Sequence, residues 1–288
     1  MAETFKKYPR QIHYLCITNT LSLKHDMTHY SEEMKRLLDE KAELYNRLEF
    51  IETDPIQVPH GFAKKEDIEI AAFLTATIAW GQRKSIINNA KRLMRLMDNS
   101  PYDFVCNATH KELSVTDSFV HRTFNGLDCR FFIASLKNIY HNHQGLEAVF
   151  TQGFQQENTV FGTLKHFRAV FLSIPHEQRV VKHLSDVTAN SSAKRLNMFL
   201  RWMVRIDHSG VDFGLWNAIP ASALMLPLDV HTGDVARAYG LLARKQNDWK
   251  AVEEITAVLR QMNAEDPIRY DFALFGIGAF DNKKWDEF

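Results

Sequence analysis

The stretch Pro227 to Leu241, PLDVHTGDVARAYGL, puts a carboxylate at the mouth of a helix. Asp229 precedes an apolar-periodic run, so the backbone N–H groups of the following turn favour its ionised form and hold it in a fixed direction. A carboxylate held this way suits charge stabilisation or proton acceptance. Asp, Thr and Gly also serve simply to start a helix, and the residues alone leave both roles open. A second candidate lies 35 residues earlier, where Ser191-Ser192-Ala193-Lys194-Arg195 leads into the run Leu196 to Arg205. The serines read as helix caps, and free first-turn N–H groups beside Lys and Arg make a phosphate-binding corner. Lysines and arginines on a helix face are also commonly just solvated.

Three segments carry a resemblance to the helix-hairpin-helix (HhH-GPD) DNA glycosylase superfamily. In the first, Pro227, Asp229, His231, Val235, Ala236, Gly240 and Leu241 fit the superfamily's aspartate segment, and the resemblance implies a catalytic role for Asp229. In the second, Lys194 stands where bifunctional members carry the lysine that attacks the sugar C1′. An attacking lysine must be uncharged, which burial or neighbouring positive charge such as Arg195 promotes. The third, Ile70 to Asn89 (IAAFLTATIAWGQRKSIINN), resembles the segment whose glutamine fills the gap left by an extruded nucleotide. Gln82 falls on that position, with Arg83 and Lys84 beside it for the adjacent phosphates. Gly81-Gln82 reads equally well as a turn between two helices.

The chain departs from the superfamily in one place. Val187 to Lys194 holds no glycine, whereas the hairpin signature needs glycines to bring backbone against DNA phosphates. The grip must then be rebuilt from Ser192, Arg195 and Arg201, or be absent. Trp216, Phe213 and Trp202 are candidates for stacking on an extruded base, although such aromatics more often belong to a core. Asp271, in a terminal segment similar to the superfamily's last helix, reads as structural. As a whole the chain resembles an uncharacterised bacterial family of the DUF2400 type within that superfamily.

Composition bounds these readings. The 288 residues are 45% hydrophobic and 24% charged, the profile of a globular protein with a sizeable core. With 35 basic against 35 acidic residues, attraction to nucleic acid must come from a local patch. Cys16, Cys106 and Cys129 are widely spaced. They imply no zinc site, no disulfide framework and no iron-sulfur cluster, and His231 has only Asp234 at ligand spacing, so no metal and no cofactor are expected. No apolar run reaches the roughly 18 to 20 residues that span a bilayer, and no signal peptide is evident. A cytoplasmic monomer without membrane attachment is the expectation.

The elements that must position these residues read as helical throughout. Apolar periodicity predicts helices over 31–52, 68–80, 86–97, 128–141, 145–154, 161–174, 192–206, 233–243, 248–263 and 268–278, with hardly any strand pattern. The fold class is all-α, and the resemblance implies a two-lobed helical bundle of the glycosylase type. Residues 1–28 read as a poorly ordered extension, and 29–288 as a single unit whose lobes are not contiguous in sequence. The expected function is a DNA-binding protein of base-excision repair, an N-glycosylase/lyase using Lys194 and Asp229. The alternative is a non-catalytic DNA-binding or repair-accessory module on the same scaffold.

Overall fold

Ser31 opens α1 (Glu32–Tyr45): its Oγ accepts the Met34 N–H, and Glu32 and Glu33 complement the positive end of the helix dipole. The structure, a computed structural model, describes residues 30–281, so the extension expected over 1–28 lies outside the described residues. The one helix expected over 31–52 is two. It breaks at Asn46, and α2 (Leu48–Thr53) restarts from an extended Arg47.

Two proline-initiated 3-10 turns lead into α3 (Lys65–Thr77), of which ten residues are buried. A helix apolar on every side has to run through the core, and α3 does. Its small residues Ala71, Ala72 and Ala76 let neighbours approach, while Phe73 meets Phe132, Phe167, Phe171 and Phe199 at centroid distances of 5.4–6.0 Å. Fully burying rings of this kind contributes roughly 1.5–3 kcal/mol each.

Beyond the Trp80-Gly81-Gln82 turn run α4 (Arg83–Leu96), α5 (Pro101–Asn107) and α6 (His110–Leu113). A two-stranded antiparallel hairpin follows, β1 (Val120–His121) pairing with β2 (Phe124–Asn125). Neither α5, α6 nor the hairpin was foreseen, because none is long enough to show periodicity.

Asn125 and Asp128 form a reciprocal capping box at the start of α7 (Gly126–Asn142). Next come α8 (Leu146–Glu157) and α9 (Val160–Phe171), then a 3-10 helix Gln178–His183 and a turn ahead of α10 (Lys194–Val204). The chain ends in α11 (Val230–Ala238), α12 (Trp249–Met262), α13 (Tyr270–Gly276) and a π-turn Ile277–Asp281.

The described residues are therefore overwhelmingly helical, and the buried apolar side chains form one continuous cluster. The first helix returns to the last. The α1 ring of Tyr45 lies so close to the Gly276 backbone that any β-carbon there would collide with it, and Tyr270 Oη donates to Asp39 at 2.9 Å. This brace fixes α13, and α13 forms the floor of the site described next.

Candidate functional site

Lys194 is the first residue of α10, and Asp229 is the N-cap of α11. The chain brings the two helix starts together so that Lys194 Nζ lies 3.9 Å from Asp229 Oδ2, each side chain about 30% exposed. The capping role that sequence left open for Asp229 is present: Oδ1 accepts the Thr232 N–H at 2.9 Å, and Oδ2 faces the ammonium. The Asp229 carbonyl also accepts from Asn247 Nδ2 at 3.1 Å, and Asn247 is in turn held by Arg237. Gly233 leaves room for this, since a β-carbon there would meet Asn247 Oδ1 at 2.7 Å. Asn247 carried no signal in the sequence, being a lone polar residue in a loop.

α10 begins differently from the sequence expectation. Neither serine caps it. The N-cap is Ala193, in the left-handed region at φ +47°, with no side-chain cap. Ser191 Oγ instead accepts the Ala193 N–H at 3.3 Å, and the half-buried Ser192 offers its carbonyl to Asn197. Ahead of it, Asp186 ties the 187–190 turn by accepting the N–H groups of Thr188 and Ala189. This turn follows a 3-10 helix and not an α-helix, so a second helix of the hairpin is not formed here.

Below the lysine, Met198 and Arg201 follow on the same face of α10. Met198 Sδ is 3.6 Å from Lys194 Nζ. Arg201, expected to meet phosphate, is 4% exposed and holds Asp212 and Asp271, with its guanidinium 4.5 Å from the Phe272 ring centroid. Two buried carboxylates require a buried cation, and this need withdraws Arg201 from the surface. Asp271 thus acquires more than the structural part read for it. Burial pushes its carboxyl up to about 6; Arg201 and Lys194 oppose that shift, and Asp229 reinforces it. The titration of Asp271 therefore feels both members of the pair.

Arg195 is a brace between helices. It donates to the carbonyls of Thr77 and His183 and lies 4.9 Å over the Trp80 ring. Burial lowers its pKa to about 10, which leaves it charged at neutral pH. Gln82, immediately ahead of α4, and Lys84, the second residue of α4, are exposed, while Arg83 stacks over Phe275 at 4.9 Å. Phe275 is one turn beyond Asp271 on α13, so the Gln82 corner and the Lys194–Asp229 pair border the same helix.

The expected stacking residues do not face solvent. Trp202 is 0% exposed and Trp216 1%, the latter donating to Glu69 Oε1 at 2.7 Å, because their size makes them core. Phe213 is half-buried and stacks on His60 at 4.3 Å. Trp80 is half-buried, set between Arg195, His183 and His121. Burial lowers the pKa of both histidines.

One basic residue escaped sequence reasoning altogether. Arg122, exposed at the hairpin tip, lies against Gly81 so closely that a β-carbon there would overlap its guanidinium. Gly81 also sits at φ +98°, open to glycine and strained for other residues. The hairpin is anchored by His121, 2% exposed, whose ring bonds the Trp80 carbonyl and the Asn89 side chain at 3.1 Å each. Exposed or half-exposed Gln82, Arg83, Lys84 and Arg122 thereby gather around one turn, and Arg179, paired with Asp128, reaches the hairpin at the Thr123 carbonyl. Among the described residues no group of three or more His, Cys, Asp or Glu side chains could hold a metal ion, and no helix is long and apolar enough to cross a membrane.

Residues 54–280 match the family described as "Protein of unknown function (DUF2400)", and the chain belongs to that family. Neither a curated protein nor a solved structure matches the chain.

Proposed function

We propose that this protein binds duplex DNA and acts, as a monomer, on a damaged base as an N-glycosylase/lyase of the base-excision-repair type. The observation that carries the reading is the half-exposed Lys194–Asp229 pair at 3.9 Å, bordered by the basic turn at Gln82. Lys194 is the nucleophile. Asp229 Oδ2 takes the ammonium proton, and the uncharged amine adds to C1′ as the C1′–N bond breaks. The departing base leaves with the bonding electron pair and takes from Asp229 the proton that Lys194 gave up, which restores the carboxylate. One of the two protons on the resulting secondary ammonium then passes to O4′ as the C1′–O4′ bond breaks, leaving an open-chain iminium that keeps the other. Asp229 stabilises the positive charge that develops on the sugar.

Gln82 and Arg122 flank the position of the extruded nucleotide, and Arg83 and Lys84 meet neighbouring phosphates. Arg195 contributes positive potential while bonded to protein carbonyls. The test is borohydride trapping on duplexes carrying 8-oxoguanine, uracil, an alkylated base or an abasic site. A covalent adduct in the wild type that disappears in Lys194→Gln supports the reading. Absence of an adduct together with absence of base release on every duplex overturns it.

A second reading, a DNA-binding or repair-accessory module without catalysis, is favoured by one feature: the turn ahead of α10 has no glycine and no preceding α-helix. It requires binding to duplex DNA that weakens steeply with salt but brings no base release.

A further inference from the structure

At the end of α3 remote from Thr77, a cavity of about 410 Å³ opens between the starts of α3 and α8, the end of α7 and the Trp216 loop. Its floor is Glu69, 2% exposed. The Tyr140 hydroxyl and the Trp216 indole each donate to this carboxylate at 2.7 Å, one to each oxygen. Burial raises the Glu69 pKa against these donors. Glu66 and Glu147 add acid to the wall, and Tyr102 and Tyr140 meet edge to face at 5.2 Å. None of these groups takes part in the Lys194–Asp229 site.

Lys65 in the lining, and Lys64, which is not part of it, place ammonium groups against these acids and rings. Lys65 Nζ sits against Glu147 and 3.9 Å from Glu69 Oε1, bridging the two carboxylates. Lys64 Nζ lies 3.9 Å from the Tyr102 ring centroid, a cation-π distance. Carboxylates outnumber the lysine within the cavity three to one, so a nitrogen cation is favoured over an anion. The Lys65 side chain is 44% exposed on a flexible four-carbon stem, and it can swing out to water without breaking a core contact. The volume lies within the range of small-molecule sites, roughly 300–1,000 Å³.

We propose that this cavity is a binding site for a small organic cation, an amine or guanidinium compound. Its charged nitrogen replaces Lys65 Nζ between Glu69 and Glu147, and its carbon chain lies along the tyrosines. Lys65 is then an internal competitor. The proposal is independent of the DNA reading, since no residue is shared.

The test is isothermal titration of the full chain with agmatine at low ionic strength. The expected result is saturable one-to-one binding, weakened about tenfold in Glu147→Gln and strengthened several-fold in Lys65→Met. Both changes are at partly exposed side chains, so folding is retained and the buried Glu69 is untouched. Absence of saturable binding in the wild type and in Lys65→Met overturns the proposal. So does equal affinity in Glu147→Gln, which would put the cation elsewhere on the surface.

Discussion

The buried carboxyl of Asp271 makes a prediction whose sign is unusual for an aspartate that touches an arginine. Asp271 is 6% exposed and bonded to Arg201, yet its pKa is raised from 3.8 to about 6, chiefly by burial. The folded protein therefore holds this proton up to about pH 6, while the unfolded chain releases it near pH 4. Between these values the native state binds more protons than the unfolded state, and stability falls as pH rises. Two pKa units correspond to about 3 kcal/mol, a penalty absent below pH 4 and fully incurred above pH 6. Asn is close in shape to the protonated acid and does not titrate. Asp271→Asn should thus match the wild type at pH 4 and become more stable by about 3 kcal/mol at pH 7. Urea unfolding of both proteins between pH 4 and 8, with the slope on denaturant checked for constancy, measures the difference at each pH. A flat difference, or a wild type that gains on the variant as pH rises, refutes the reasoning. It would mean that the Arg201 charge outweighs burial. The confirmed sign would show an acid kept at a cost to stability beside the Lys194–Asp229 pair, which is expected of a site held for function.

Asp229→Asn retains a good N-cap residue, so the melting temperature should change little, while base release and trapping on the best duplex substrate should be lost. A large drop in melting temperature would show instead that the charge itself holds α11. Gly81→Ala forces a positive φ and a collision with Arg122, and should destabilise by about 1–3 kcal/mol; denaturation of the double variant with Arg122→Ala should recover the steric part alone. Arg122→Ala by itself should weaken duplex binding and lower the slope of log affinity on log salt by about one, and an unchanged slope in a filter-binding series would remove Arg122 from the interface. Burial pushes the Cys129 thiol up to about 12, so alkylation followed by peptide mapping should find it unmodified in the native protein at pH 8 and modified in urea.

The sequence alone determined the overwhelmingly helical character of the described chain, because apolar spacing along α4, α7, α9, α10 and α12 follows directly from which face must be buried. The resemblance singled out Lys194, Asp229 and Gln82, of which Asp229 alone carries a correct helix-start signal in its own residues. What the sequence could not reach depends on neighbours distant in the chain. Arg201 has the composition of a surface arginine, and only the convergence of Asp212 and Asp271 on it makes burial tolerable. Trp202 and Trp216 look like exposed stacking platforms until the packing of α3 and α10 encloses them. Asp271 reads as a structural acid in its own helix; burial among the surrounding elements raises its pKa, and Asp229, 42 residues away, adds to the rise against the opposing charges of Arg201 and Lys194. Arg122 sits in a hairpin with two paired residues per strand, too short for any periodic signal, and is tied to Gly81 only by the approach of two loops. Local signals decide where helices begin and which face they hide; which charges are buried together, and at what pH they change state, is decided by contacts between elements that only the folded chain makes.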